Sequence, residues 1–122
     1  MKDKIAIIDD NSSSAKSLAE FFKSRNVTPT IFTSCEELLA SDTNFDVVIT
    51  DTDLGDGMSG FDCAKNIRER MPHAFIVGTT VVEPERNEEY RTIYLRSGAN
   101  TFVNRRESGT IVEQVQQFLS EG

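Results

Sequence analysis

Five short apolar runs, each followed by a segment with helical periodicity, constrain the fold of this chain more than any other feature. The runs occupy residues 5–8, 28–32, 47–50, 75–78 and 101–103. A continuous apolar run such as residues 5–8 is typical of a strand buried on both faces, whereas Pro29 is best tolerated in an edge strand. The alternation of the five runs with helices is typical of βα units. The pattern predicts an α/β protein with five βα units around one parallel sheet.

Local signals place the helices between these runs. Ser34 followed by Glu37 is a capping box that predicts the start of the second helix. The fourth helix is predicted over residues 86–97, because Gly98 is a suitable terminating residue. The first helix should pack on the sheet through apolar residues at helical spacing, namely Ala15, Leu18, Ala19 and Phe22.

Composition limits the classes of function. The chain has 122 residues, as expected of a single domain over residues 1–122, and its formal net charge of -7 argues against direct nucleic-acid binding. The few apolar residues near the N-terminus are too short a run for a signal peptide or membrane insertion, so we expect a cytoplasmic protein. Cys35 and Cys63 fit no disulfide or zinc spacing and are predicted to be unpaired core residues.

Acidic residues follow the first and third apolar runs. Asp9 and Asp10 come after the first run, and Asp51 and Asp53 come after the third. Parallel strands end at the same edge of a sheet, and a strand order of 2-1-3-4-5 would place the first and third strands side by side. Carboxylates crowded at that edge repel one another, and a hard divalent cation such as Mg²⁺ would neutralise them. The pattern therefore predicts a metal site beside a nucleophilic carboxylate.

Four stretches of the sequence together resemble the receiver domain of bacterial response regulators. They are IAIIDDN, FDVVITDTDLGDGMSGF, FIVGTT and GANTFVNR, at residues 5–11, 45–61, 75–80 and 98–105. The resemblance covers essentially the whole chain. It implies a flavodoxin-like (βα)5 fold, Mg²⁺ or Mn²⁺ as cofactor, and transfer of a phosphoryl group to Asp51 from a histidine kinase or histidine phosphotransfer protein.

The resemblance also implies a signalling module that acts by contact with a downstream protein. Its only chemistry would be phosphorylation and autodephosphorylation of its own aspartate, so the chain would not be an enzyme acting on other substrates. No output domain is expected within residues 1–122.

The resemblance assigns roles to individual residues. Asp10 would bind the metal directly, Asp9 mainly through water, and Asp53 through its backbone carbonyl. Thr80 would be the switch hydroxyl, with Thr79 as the competing assignment. Phe102 lies at the position of an aromatic switch residue, although an ordinary core phenylalanine would fit the same pattern.

Two of the departures from the family pattern are important for the expected site. Arg105 stands where a lysine usually binds the phosphoryl oxygens, and Val81 stands where a small alanine is usual. Arginine can hold a phosphate bidentately, but it is not equivalent to an ammonium group. We expect phosphorylation to survive and its coupling to an output surface to weaken. That surface is expected on the fourth helix, fifth strand and fifth helix, where Tyr94, Phe102, Arg105 and Arg106 would cluster.

Two other functions are consistent with the residues. The departures at Arg105 and Val81 are consistent with a pseudo-receiver, a protein-binding module without phosphoryl switching. The segment Asp51-Thr52-Asp53 also resembles the nucleophile motif of haloacid-dehalogenase-like phosphatases. Those phosphatases carry the motif on their first strand, whereas here it follows the third, so this alternative is remote.

Overall fold

The computed structural model describes residues 4–121, in which five strands alternate with five α-helices. The strands are β1 (Ile5–Ile8), β2 (Thr30–Phe32), β3 (Val47–Asp51), β4 (Phe75–Thr80) and β5 (Thr101–Asn104). The helices are α1 (Ser12–Lys23), α2 (Cys35–Ala40), α3 (Gly60–Arg70), α4 (Asn87–Arg96) and α5 (Ser108–Glu121). Short 3-10 helices at Pro84–Arg86 and Arg105–Glu107 precede α4 and α5.

The sheet is parallel throughout and has the order β2-β1-β3-β4-β5, which confirms the predicted flavodoxin-like topology. In the register, Ile8 lies opposite Thr50 and Asp51 lies opposite Thr79. The chain reverses its direction of winding between β1 and β3. The carboxyl ends of these two strands form the crevice where open α/β sheets bind ligands.

Each face of the sheet is covered by helices. The apolar residues of α1 and α5 pack on one face, and those of α2, α3 and α4 pack on the other. All four residues predicted to face inward from α1 are buried, which confirms the periodicity argument. Among the described residues, no helix is both long enough and apolar enough to span a membrane.

The predicted helix signals hold, and two element boundaries differ. Ser34 caps α2 by accepting a hydrogen bond from the Glu37 N–H at 3.1 Å, and Gly98 follows α4 with φ of +104°. The β2 ladder begins at Thr30 rather than at residue 28, because Pro29 has no N–H to donate. The predicted fourth helix starts one residue later, at Asn87, after the 3-10 turn that opens with Pro84.

The prediction of unpaired cysteines is wrong. Cys35, the first residue of α2, and Cys63, in α3, form a disulfide with their Cα atoms 5.7 Å apart. Both side chains are buried in the core between these helices and the sheet. The partners lie 28 residues apart on different helices, so the contact arises from packing and has no signature in the cysteine spacing.

Candidate functional site

Three carboxylates meet where β1 and β3 end. Carboxylate oxygens of Asp9, Asp10 and Asp51 all lie within 4.8 Å of one another. The pairing of Ile8 with Thr50 places the next residue of each strand side by side, which is why side chains 42 positions apart converge. The structure therefore brings together three of the four acidic residues expected at this edge.

The donor set of this acidic cluster fits a hard divalent cation. Carboxylate oxygens are the ligands that Mg²⁺ and similar ions prefer, and Mg²⁺ characteristically retains water and phosphate oxygens in its remaining positions. Asp9 is buried, Asp51 is half-buried and Asp10 is exposed, so the cluster is open to solvent on one side. Asp9, Asp10 and Asp51 are the residues that could hold such an ion.

Asp53 is placed differently. Its exposed carboxylate accepts a hydrogen bond from the Gly55 N–H at 3.2 Å. Gly55 has φ of +77°, a conformation that glycine adopts without strain. The Asp53 side chain thus shapes the loop after β3, and the expected role of its backbone carbonyl stays a prediction.

Arg105 forms a buried ion pair with Asp9. Its Nη2 atom donates to Asp9 Oδ2 at 3.1 Å and to the Ser14 carbonyl at 2.9 Å. The side chains of Arg105 and Asp9 are only 10% and 2% exposed. Asp9 Oδ1 accepts from the Asn11 N–H at 2.9 Å. The guanidinium therefore links the segment after β5 to the start of α1 and neutralises part of the acidic cluster.

The Asp51 carboxyl group titrates abnormally. Its pKa is raised to about 6, first because burial disfavours the charged form and then because Asp9 is a nearby negative charge. The Thr52 backbone N–H, the Arg105 charge and a side-chain interaction with Thr80 oppose this rise in pKa. Asp51 is thus predominantly ionised at neutral pH, and its charge is poorly solvated. A carboxylate with these properties is a candidate nucleophile.

The two candidate switch threonines have different surroundings. Thr80, the last residue of β4, is half-exposed and its side chain interacts with Asp51. The hydroxyl of Thr79 is fully buried and makes no hydrogen bond within the described part of the chain. Of the two side chains, that of Thr80 is the one with access to the acidic cluster.

An aromatic cluster fills the space between α3, α4 and β5. It consists of Phe61, Tyr90, Tyr94 and Phe102, with neighbouring ring centroids 4.6–6.0 Å apart. Phe102 and Tyr94 are fully buried. The expectation that they cluster with Arg105 on a partner surface is therefore wrong, because their rings pack inward against the sheet.

The exposed apolar side chains of this region are different ones. Val81, Ile93 and Leu95 are 58%, 39% and 50% exposed, and Arg106 is also exposed. Sequence reasoning also missed the hydroxyl group of Tyr94, which lies 2.6 Å from the Thr52 hydroxyl. The sequence carried no clear signal for this contact, because Tyr94 is the one buried residue of α4 and no apolar stripe marks an inward face.

Known structures share this fold over nearly the whole chain. The BeF3-activated receiver domain of DrrB, from Thermotoga maritima, is 25% identical with a TM-score of 0.86, and the match covers 98% of this chain and 99% of that one. A two-component response regulator from Clostridium difficile is 21% identical with a TM-score of 0.84, covering 98% and 97%.

A third similar structure contains a partner protein. The Saccharomyces cerevisiae receiver domain of Ssk1, crystallised with the histidine phosphotransfer protein Ypd1, is 19% identical with a TM-score of 0.71, covering 84% of this chain and 78% of that one. A search of curated protein sequences found no match. The sequence model of the response regulator receiver domain, however, matches residues 5–116. The chain therefore belongs to the response regulator receiver domain family.

Proposed function

We propose that Asp51 accepts a phosphoryl group from the phosphohistidine of a histidine kinase or histidine phosphotransfer protein, in a reaction that depends on Mg²⁺, with Mn²⁺ as a substitute. The observation that carries the proposal is the position of Asp51. It is half-buried at the carboxyl end of β3, within 4.8 Å of the carboxylate oxygens of Asp9 and Asp10. Membership of the receiver family supports the same role.

The proposed reaction is a direct phosphoryl transfer. An oxygen of the ionised Asp51 carboxylate attacks the phosphorus atom, and a new O–P bond forms as the P–N bond of the phosphohistidine breaks. The electron pair of the broken bond stays on the imidazole nitrogen. A pKa of about 6 leaves Asp51 ionised at neutral pH and ready to attack.

The other site residues are proposed to hold and orient the reacting groups. Asp9, Asp10, Asp51 and the Asp53 carbonyl would hold the cation. When bound, this ion would balance the negative charge on the phosphoryl oxygens. Arg105, which already lowers the pKa of Asp51, would stand in for the usual lysine.

Two residues are proposed to respond to the phosphoryl group. Thr80 is the proposed switch hydroxyl rather than Thr79, a choice supported by its side-chain interaction with Asp51. Phe102 is the proposed aromatic switch, and its buried ring beside Tyr94 would be the resting position.

The proposed partner is a protein that carries a phosphohistidine. The Ssk1 receiver, which shares this fold, is seen in complex with a histidine phosphotransfer protein. The signal would then leave through contact with a downstream protein. The proposed compartment is the cytoplasm.

Labelling with a small phosphodonor tests the proposal. Purified protein incubated with acetyl phosphate and Mg²⁺ should gain one phosphoryl group per chain, measured by intact-protein mass spectrometry. Asp51→Asn and omission of Mg²⁺ should each abolish labelling. Asp56→Asn is the matched control, because Asp56 is an exposed carboxylate of the same loop and should leave labelling unchanged. An unlabelled wild-type protein would contradict the phosphoacceptor role.

A pseudo-receiver that only binds proteins is the second candidate. The observation in its favour is the Arg105 guanidinium, which is held by Asp9 and the Ser14 carbonyl in a buried position. The same labelling experiment separates the two functions, since a pseudo-receiver would take up neither a phosphoryl group nor the metal.

A phosphatase is the remote alternative, and the placement of Asp53 argues against it. The second aspartate of such a motif acts as an acid at the reacting group. The Asp53 carboxylate is instead exposed and accepts a hydrogen bond from the Gly55 N–H. One stable phosphoryl group per chain, without sustained turnover of a phosphomonoester, would exclude this alternative.

A further inference from the structure

Tyr94 places a buried hydroxyl group between α4 and the loop that follows Asp51. The residue is fully buried, and its oxygen lies 2.6 Å from Thr52 Oγ1. Burial raises the pKa of Tyr94 above its usual range, so the group stays protonated and able to donate. Thr52 directly follows the proposed phosphoacceptor. A residue of α4 therefore contacts the phosphoacceptor segment from inside the protein.

The direction of each hydrogen bond follows from counting protons. Thr52 Oγ1 also lies 3.1 Å from the Thr79 carbonyl, which can only accept. A threonine hydroxyl has a single proton, so Thr52 donates that proton to Thr79 and accepts one from Tyr94. The result is a directed chain from the Tyr94 hydroxyl through Thr52 to the peptide that joins Thr79 to Thr80.

Two glycines make room for this arrangement. A Cβ atom added at Gly78 of β4 would lie 2.3 Å from the Tyr94 ring, and one added at Gly60 would lie 2.4 Å from the Tyr94 hydroxyl. Both distances are far shorter than a van der Waals contact. The ring is therefore closely enclosed, and small shifts of α4 must move the hydroxyl or break its bond to Thr52.

We propose that Tyr94 is a positioning residue whose hydroxyl, acting through Thr52 and Thr79, holds α4 and the end of β4 in the unphosphorylated arrangement and so opposes phosphorylation of Asp51. This inference rests on the proposed function. The physical reason is that the Thr79 carbonyl and Thr80 share one peptide unit. Movement of Thr80 toward a phosphoryl group on Asp51 would strain the Thr52–Thr79 hydrogen bond, and α4 would have to follow.

The experiment compares Tyr94→Phe with Tyr90→Phe. The first change removes one oxygen and keeps the ring. The second removes a hydroxyl from the same helix and the same aromatic cluster without touching the Thr52 bond. Affinity for beryllofluoride, a phosphoryl mimic, would be measured by titration in Mg²⁺. Tyr94→Phe should bind it about 2- to 10-fold more tightly. This range is expected when the variant lacks one hydrogen bond that stabilises only the unphosphorylated arrangement.

Thr52→Val provides a second, independent variant. It removes both bonds of the chain and should also tighten beryllofluoride binding, and adding Tyr94→Phe to it should have little further effect. Amide hydrogen exchange of α4 and Thr80, without the mimic, should become faster in Tyr94→Phe than in Tyr90→Phe.

The outcomes are distinct. If the wild-type protein binds no beryllofluoride, the proposed function fails and this inference fails with it. If the wild-type protein binds the mimic and Tyr94→Phe matches Tyr90→Phe or binds more weakly, the inference alone is overturned. A purely structural role would lower thermal stability in both states and leave the affinity unchanged, which would also overturn it.

Discussion

A half-buried carboxylate beside a second carboxylate is costly to ionise, and Asp51 is in that position. Its pKa is about 6 in the folded protein against 3.8 for an unperturbed aspartate. Between these two pH values the folded protein binds more protons than the unfolded chain. The free energy of unfolding should therefore fall as the pH rises through this window and stay reduced above it.

Replacement of Asp51 by asparagine should remove this cost. We expect Asp51→Asn to be more stable than the wild type at about pH 7, by roughly 1–2 kcal/mol after allowance for solvent screening of a partly exposed group. The difference should close as the pH falls below 3.8. Urea unfolding of the two proteins at several pH values would measure this difference in the free energy of unfolding. A chelator would be present to remove divalent cations. Equal stability of the two proteins at neutral pH would contradict the assigned pKa.

The disulfide between α2 and α3 should stabilise the folded protein mainly by lowering the conformational entropy of the unfolded chain. It closes a loop with a sequence separation of 28, which contains β3 and the Asp51 loop. The loop-closure entropy of such a crosslink corresponds to about 3–4 kcal/mol. We expect reduction with dithiothreitol to lower the free energy of unfolding by up to this amount, measured by urea unfolding of oxidised and reduced protein.

The control for this comparison is the Cys35→Ala/Cys63→Ala double variant. It should show no response to dithiothreitol, because any effect of the reagent on the wild type must act through these two residues. A thiol assay in denaturant should detect no free thiol before reduction. Detection of free thiols in unreduced protein would show that the crosslink is not formed. Disulfides are rare in the cytoplasm, the proposed compartment, so trapping the thiols at cell lysis would show which form is present in the cell.

Much of the architecture could be predicted from the sequence because it follows from local patterns. Apolar runs such as residues 47–50 identify buried strands, and the parallel arrangement brings Asp9 and Asp51 to one edge. Ser34 and Gly98 mark helix ends by chemistry that depends on the backbone next to them. These features need no knowledge of which helices touch.

The features that were missed depend on contacts between helices. Cys35 and Cys63 meet because α2 and α3 pack together on one face of the sheet. Tyr94 turns inward because Gly78 leaves space for its ring, a match between residues 16 positions apart that neither residue signals alone. The interpretation of Tyr94 as a surface residue failed for the same reason, since helical periodicity does not identify which residue fills a gap over the sheet. Phe102 lies on β5 and is buried, as the alternative of a core phenylalanine predicted.

The whole molecule carries a net charge of -7, and three of its carboxylates are crowded at one edge of the sheet. Arg105 is paired with only one of them, Asp9. A divalent cation that binds the folded cluster and not the unfolded chain must raise stability by mass action. At ten times the dissociation constant, Mg²⁺ should add about 1.4 kcal/mol. For a chain of this size, that increase corresponds to a rise in Tm of about 3–6 °C.

Thermal unfolding followed by circular dichroism would measure this rise in Tm. Sodium chloride at the same ionic strength screens the repulsion among all the negative charges of the protein. The rise in Tm that is due to Mg²⁺ binding is therefore the difference between the Tm in Mg²⁺ and the Tm in sodium chloride. Asp10→Asn should abolish that difference, because Asp10 is the exposed member of the cluster and its replacement leaves the buried Asp9–Arg105 pair intact. An exposed carboxylate elsewhere, as in Asp62→Asn, should leave it unchanged. Equal stabilisation by sodium chloride and Mg²⁺ would mean that the acidic cluster does not bind Mg²⁺ specifically. That result would contradict the Mg²⁺ dependence of the proposed function.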